Sequence, residues 1–426
     1  MKVLIVGGGA REHTLAWACA KSPDVSAVFV APGNAGTALE PKCTNVEIGV
    51  NDFKALAKFV VDHTLDLTII GPEDPLVKGI KDYFDQKGLL CLGPSAAVAQ
   101  LEGSKSFAKQ FMSDEAIPTA SYFATTDLKE ALDYLESQSM PIVVKADGLA
   151  AGKGVVIAQD KQEAIQTVTE MLSGVRHGDA GRQVVIEEFM TGEEASYTVL
   201  IDGTKYLAFA NSQDHKPIGD GDTGPNTGGM GAYSPAPVIT PEIEQKVLSE
   251  IVEPVVSGMA RRNTPYVGFL YVGLMITPEN EVKVVEFNCR FGDPETQVVL
   301  YRLRTDFAQI CLEAAKGQLR QTPLENSSET ALCVVMASGG YPGAYETGKR
   351  ISGLGDVDVA TKVFHAGTKM VDGNVCTSGG RVLGITALGD TVEVAQRQAY
   401  QSIQKIRWEA AYNRTDIGFR AVNREK

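Results

Sequence analysis

The sequence predicts an α/β protein built from several domains. Its first third alternates short apolar runs with helical stretches. Its middle sets a glycine-rich loop between two β-branched segments, and its 426 residues suffice for about three domains of ~150 residues each.

Taken in order, a strand is expected over residues 2–6, a helix over 12–21, a strand over 27–30, a helix over 53–63 and a strand over 67–70. Such alternation implies a parallel sheet with crossover helices. A helix over 104–114, followed by Pro118, marks the exit from that domain. Strands over 142–145 and 155–158 then flank Asp147-Gly148-Leu149-Ala150-Ala151-Gly152-Lys153-Gly154, and after a long helical stretch a further strand spans 183–189. Residues 196–201 and 205–210 surround Asp202-Gly203, a hairpin-turn signal. Residues 217–235 carry six glycines and are expected to form a mobile functional loop rather than a regular element. Strands return from about residue 328, and a helix over 392–408 closes the chain.

A hydrophobic fraction of 44% with 22% charged residues fits a globular chain and excludes a disordered one. No run approaches the ~18 apolar residues that span a bilayer. Val3-Leu4-Ile5-Val6 is too short for a signal peptide, so a cytoplasmic location and no membrane association are expected. The net charge of −13 argues against a general nucleic-acid binder, although local lysines and arginines still permit an anionic substrate. Seven scattered cysteines with no C-x-x-C pair suit reduced core thiols.

Four segments bear on chemistry. Gly7-Gly8-Gly9-Ala10-Arg11-Glu12-His13 lies between a strand and a helix, where backbone amides and Arg11 suit a phosphate. A dinucleotide fingerprint is the rival, but Glu12 stands at its third glycine; a tight structural turn is the plain alternative. In the second loop, three residues separate Gly148 from Gly152, and Lys153 precedes Gly154 and a strand. That arrangement is a lid over phosphates rather than a Walker motif; Lys153 alone reads equally as a solvated lysine. Lys145, ending an apolar strand, calls for an anion. Glu187, Glu188 and Glu194 form either charged surface or a nucleotide-binding edge. Strand periodicity places Glu286 and Asn288 on one face among the apolar Val284, Val285 and Phe287. That pairing suits Mg²⁺, or a polar face in water. The five histidines lack metal or triad spacing and no G-x-S-x-G elbow is present, so nucleophilic hydrolysis is not expected.

These segments, with Pro32-Gly33-Asn34-Ala35-Gly36-Thr37, Gly71-Pro72-Glu73, Leu101-Glu102-Gly103-Ser104-Lys105, residues 224–235 and Arg290-Phe291-Gly292-Asp293-Pro294-Glu295-Thr296-Gln297, resemble the ATP-grasp superfamily. Within it the chain is similar to the glycinamide ribonucleotide synthetases over essentially its whole length, with Ala10 where that family usually has glycine.

The resemblance implies an ATP-grasp fold: an N-terminal parallel-sheet α/β domain (1–122), a small ATP lid (123–192), a central grasp domain (193–328) and a C-terminal α/β domain (329–426). It implies that Lys105 and Lys145 hold the α- and β-phosphates of ATP, with Gly152 and Lys153 in the lid. Glu187 and the backbone near Phe189 would read adenine, Glu188 would belong to the same edge, and Glu194 would meet the ribose. Glu286 and Asn288 would hold Mg²⁺ or Mn²⁺, with no third protein ligand expected from Tyr271-Val272-Gly273-Leu274. Gly8, Gly9, Arg11, Asn34 and Gly36 would hold the phosphate of 5-phosphoribosylamine. Arg290 and Lys145 would neutralise developing charge, and Asp214, Asp293 and residues 224–231 would serve the glycine and amine ends. The implied partners are the small molecules glycine and 5-phosphoribosylamine, acting on a monomer or weak dimer. The implied products are glycinamide ribonucleotide, ADP and phosphate, formed through a glycyl phosphate. The alternatives are another ATP-grasp carboxylate–amine ligase or carboxylase, a dinucleotide-dependent oxidoreductase, and a non-catalytic nucleotide-binding regulator.

Overall fold

The computed structural model describes residues 1–149, 154–174 and 181–425. At the N-terminus five parallel strands run in the spatial order Cys43–Asn45, Ala27–Pro32, Lys2–Gly7, Leu67–Ile70, Cys91–Leu92. Val3, Leu4, Ile5 and Val6 are all fully buried, as a parallel strand covered on both faces requires. The strand order reverses between Lys2–Gly7 and Leu67–Ile70, which opens a crevice at their carboxyl ends, where ligands of such sheets bind. The first helix, Ala10–Ala20, begins earlier than expected because Gly9 is its N-cap, and Glu12 accepts a hydrogen bond from the Gly9 amide at 2.6 Å.

An antiparallel sheet follows, ordered Tyr122–Thr125, Val184–Glu188, Ile142–Ala146, Val155–Ala158, with the helices Leu128–Glu136 and Lys161–Leu172 sharing its apolar core. The central antiparallel sheet runs Tyr206–Ala208, Glu193–Asp202, Val267–Ile276, Val282–Asn288. Its hairpin forms where Asp202-Gly203 predicts it: Asp202 Oδ1 accepts from the amides of Thr204 and Lys205 at 3.0 and 2.7 Å. A third large sheet orders Gln213–Asp214, Gly231–Ser234, Thr330–Ser338, Arg381–Gly389 and Thr361–His365, with Ala411–Tyr412 pairing on Thr330–Ser338. It takes strands from both sides of residue 329.

The glycine-rich stretch 217–235 is ordered, contrary to the expected mobile loop. Pro217–Gly219 pairs with Thr223–Asn226, and Gly231–Ser234 enters the third sheet. Arg414, with no solvent exposure, holds Asp222 Oδ1 at 2.9 Å, Asp416 Oδ2 at 2.8 Å and the Pro217 carbonyl at 3.1 Å, while Arg420 takes the other Asp222 oxygen at 2.6 Å. The glycines permit close approach here: a Cβ on Gly231 would lie 2.7 Å from the Cys333 carbonyl oxygen and from Ile417. The last expected helix also ends early, at Ile403, and Phe419–Glu425 forms another. Among the described residues, no helix is long and apolar enough to cross a membrane.

Removing one partner of a buried ion pair strands the other's charge. Arg414→Met is therefore expected to cost about 3 kcal/mol or more in a denaturant titration. Lys58→Ala, which breaks an exposed pair with Asp62, is expected to cost less than about 1 kcal/mol.

Candidate active site

The crevice at the carboxyl ends of the first parallel strands is closed from below by Glu12, only 3% exposed. A Cβ on Gly7 would lie 2.3 Å from its side chain and one on Gly71 2.2 Å, so both glycines make room for this carboxylate. Glu12 accepts from Arg11 Nε at 2.7 Å as well as from the Gly9 amide. The fingerprint's third glycine is thus replaced by a buried acid that already uses one turn amide, which removes the basis for the dinucleotide reading. Asn34 braces the same turn from behind. Its Nδ2 donates to the carbonyls of Gly8 (3.0 Å), Gly9 (3.3 Å) and His365 (2.8 Å), and its Oδ1 accepts from the amides of Gly36 and Thr37. Gly36 is packed so closely on His13 that a Cβ would meet the ring at 2.4 Å. Asn34 and Gly36 therefore shape the turn with their polar groups committed to the chain.

Arg11 and Arg290 join this turn to the segment following the central sheet. Arg290 Nε reaches Glu73 Oε2 (3.2 Å), its Nη2 reaches Glu102 Oε1 (2.9 Å), and its Nη1 donates to the Phe291 carbonyl (3.1 Å). Arg11 Nη1 donates to that same carbonyl at 3.3 Å, and its Nη2 lies 4.0 Å from Glu73. Burial alone would raise the Glu73 carboxyl, but Arg290 and then Arg11 outweigh it and bring it down to about 2. Asp293 completes the wall: its Oδ2 meets Arg381 Nη2 at 3.1 Å and its Oδ1 accepts from Gln297 at 2.8 Å. A Cβ on Gly9 would stand 3.9 Å from its Oδ2.

The other half of the cleft lies between the lid and central sheets. Lys105 opens the helix Lys105–Asp114, and its Nζ donates to the Gly148 carbonyl at 3.1 Å. Lys145 and Lys109 both grip Glu187, each 2.9 Å from one of its oxygens, with all three side chains buried. Glu188 accepts from Ser121 Oγ at 2.6 Å, Phe189 is 39% exposed, and Glu194 pairs with Lys216 at 2.6 Å. Asp214 is buried beside them. Burial pushes its carboxyl up to about 7, against the pull of Lys216 and with the help of Glu295, Glu194 and Glu286. Gly152 and Lys153 lie outside the described residues.

Glu286 and Asn288 share a face by the simple alternation of the strand about Phe287, and a β-bulge lies just before them. Gly273 pairs with Glu286 and Leu274 with Val284, so Val285 is the extra residue. Val284 and Phe287 are buried as expected, whereas Val285 is only partly so because the bulge displaces it. Among the described residues the Glu286 carboxylate has no hydrogen bond or ion pair within 4 Å, while its charge acts on Lys105 and Asp214. An open carboxylate beside an amide oxygen is a donor set that fits a hard divalent cation.

Sequence reading missed Lys109, Lys216, Glu295 and Arg381. Lys109 stands four residues after Lys105 on the same helix, a spacing that could have flagged it. Arg381 lies 88 residues beyond Asp293 and carries no local signal.

The Glu73 pair gives a pH test. Its folded-state value lies below that of a free carboxyl, so its stabilisation is full above about pH 4.5 and disappears as the pH falls toward about 2. The difference in thermal midpoint between the parent and Glu73→Gln is expected to be constant above about pH 5 and to shrink steadily below it.

Residues 1–102, 103–296 and 331–420 match the N domain, the ATP-grasp (A) domain and the C domain of phosphoribosylglycinamide synthetase. The phosphoribosylamine–glycine ligase of Salmonella typhi is 55% identical over 428 residues, covering all of both chains. The solved phosphoribosylamine–glycine ligase of Thermotoga maritima superposes with a TM-score of 0.86 at 34% identity, over 98% of this chain and 100% of its own. The biotin carboxylase domain of the Hydrogenobacter thermophilus 2-oxoglutarate carboxylase, solved with magnesium-ADP and bicarbonate, shares the fold at 15% identity. Its TM-score is 0.74, over 97% of this chain and 91% of its own. With three consecutive domain matches and a full-length relative above half identity, the chain belongs to the phosphoribosylglycinamide synthetase family of ATP-grasp ligases.

Proposed function

We infer that the cleft joins glycine to 5-phosphoribosylamine at the expense of ATP. The chain is an ADP-forming carbon–nitrogen ligase of purine biosynthesis, and its product is glycinamide ribonucleotide. One observation carries the reading of the site: residues 286–293 run without a break from the cation donors to Arg290 and Asp293. That segment sets the nucleotide half of the cleft against the crevice of the parallel sheet.

A glycine carboxylate oxygen attacks the terminal phosphorus of ATP and ADP leaves. The amine nitrogen of phosphoribosylamine then attacks the acyl carbon, loses a proton, and phosphate departs. Lys105 and Lys145 face the α- and β-phosphates, to which Gly152 and Lys153 are also assigned, and Glu187 with the backbone at Phe189 meets the base. Glu188 lies along that edge and Glu194 serves the ribose. Glu286 and Asn288 would hold Mg²⁺ or Mn²⁺, which would supply charge neutralisation at the phosphate oxygens. Arg290 shields charge at the acyl centre, while Asp214 and Asp293 take the two amine ends. Gly8, Gly9 and Arg11 flank the ribose phosphate, with Asn34 and Gly36 shaping their turn. Catalysis rests on alignment and charge neutralisation, with no protein nucleophile.

The modules run 1–122, 123–192, 193–328 and 329–426, the third lending the strands Gln213–Asp214 and Gly231–Ser234 to the sheet of the fourth. The enzyme works as a monomer or weak dimer in the cytoplasm, a compartment supported by its seven unpaired cysteines.

ADP release is expected only when glycine and phosphoribosylamine are both present. Reactions omitting each in turn check this, and steady turnover without glycine contradicts the ligase reading. Glu286→Gln is expected to lower kcat by about two to three orders of magnitude while leaving the thermal midpoint nearly unchanged. Near-normal rates at low Mg²⁺ would remove Glu286 from the cation site.

A further inference from the structure

Glu187 is held by more positive charge than it can neutralise. Lys109 Nζ lies 2.9 Å from its Oε2, and Lys145 Nζ lies 2.9 Å from Oε1 and 3.0 Å from Oε2. The three side chains are 3%, 8% and 2% exposed for Lys109, Lys145 and Glu187. Two ammonium groups and one carboxylate leave a net positive charge buried, which is costly without an anion.

The two lysines are not equivalent. Lys145 is the penultimate residue of the lid strand Ile142–Ala146 and also approaches the Val285 carbonyl at 3.4 Å, next to the proposed cation donors. Lys109 sits on the far side, in the helix Lys105–Asp114. Its Nζ donates to Thr119 Oγ1 at 2.8 Å and to the Ala120 carbonyl at 3.4 Å, and it lies 5.9 Å from the Tyr122 ring. Thus Lys145 can turn toward phosphate oxygens, whereas Lys109 is anchored to the entrance of the lid sheet. When Lys145 turns, Glu187 keeps one cation only if Lys109 is there.

Lys145 Nζ straddles the carboxylate, 2.9 Å from Oε1 and 3.0 Å from Oε2, whereas Lys109 reaches Oε2 alone. When Lys145 turns, Oε1 is left without a donor, and a buried acceptor without a donor is suited to a ligand N–H. A 6-aminopurine offers such a donor at its exocyclic nitrogen; a 6-oxopurine offers an acceptor at that position.

We propose that Lys109 is the permanent counter-ion of Glu187, a positioning residue that keeps this carboxylate an obligate acceptor and so selects a 6-aminopurine nucleotide over a 6-oxopurine one. This rests on the reading of Glu187 as the residue that meets the base. Without Lys109, a Glu187 left by Lys145 takes up a proton, and the resulting O–H donates to a 6-oxo group as readily as the ionised form accepts from a 6-amino group.

The test compares ATP with inosine triphosphate, both by kcat/KM and by calorimetric Kd. The parent is expected to favour ATP strongly, and in Lys109→Met the ATP-to-inosine-triphosphate ratio falls at least tenfold. Lys109→Arg retains the parent ratio, and the KM values for glycine and phosphoribosylamine stay within about twofold of the parent's. If Lys109→Met fails to fold, Lys109→Gln, which keeps a hydrogen-bonding end without the charge, is read in the same way. A merely structural lysine predicts equal losses for both nucleotides, and an unchanged ratio in a folded variant overturns the proposal. Glu187→Gln separates the two layers. Its amide can donate to a 6-oxo group, so it should shift the ratio toward inosine triphosphate. If Glu187→Gln shifts the ratio and Lys109→Met does not, only the role of Lys109 falls. If neither shifts it, or the parent uses both nucleotides equally, the assignment of Glu187 to the base falls as well.

Discussion

A guanidinium buried between Glu73 and Glu102, and donating to the Phe291 carbonyl, ties the parallel sheet to the strand that bears Glu286 and Asn288. Glu73 opens the short helix Glu73–Val77 after the fourth parallel strand in sequence, and Glu102 comes from the helix Ala96–Gly103. Arg290 itself follows the last strand of the central sheet. Two modules, the first and the third, therefore meet on one cation, and the two halves of the cleft cannot separate without exposing or stranding charges that water no longer solvates. Arg11 adds a second cation to the same carbonyl, and two like charges this close persist only because Glu12, Glu73 and Glu102 surround them.

The same device recurs with opposite sign deeper in the cleft. Asp214, Glu194 and Glu286 crowd round Lys216, and burial, helped by Glu295, Glu194 and Glu286, holds the Asp214 carboxyl far above its usual range. Glu187 meanwhile sits in an excess of positive charge. The cleft thus carries an acidic pole at the central sheet and a basic pole at the lid. On the proposed reading of the site, a divalent cation would relieve the first and a polyphosphate the second. Each pole is costly alone, and ligands that neutralise both convert that cost into binding.

Much of this is legible in the sequence wherever the signal is local. Val3-Leu4-Ile5-Val6 announces a strand buried on both faces, Asp202-Gly203 announces its hairpin, and the alternation around Phe287 puts Glu286 and Asn288 on one side. What escapes are partnerships between distant residues. The glycines of 217–235 resemble a loop until Arg414, 192 residues beyond Asp222, is seen to pin them. Asn34 looks like a ligand-binding amide, yet its donors and acceptor are spent on carbonyls and amides of three separate segments. The bulge at Val285 is invisible because periodicity reports only which side a residue faces, never that a partner strand skips one. A helical lysine such as Lys109 reads as solvated until the lid sheet covers it.

Among the described residues the strand Gln213–Asp214 pairs only with Gly231–Ser234, which in turn is held by Thr330–Ser338. During synthesis, Asp214 leaves the ribosome roughly a hundred residues before the strand that fixes its sheet, a delay on the order of ten seconds at ordinary elongation rates. The N-terminal sheet has all its partners within the first hundred residues and can close early. The acidic pole of the cleft cannot. The nascent chain therefore passes through an interval in which a folded N-terminal sheet precedes an unassembled catalytic floor, with Gly231–Ser234 an unpaired edge open to the wrong partner.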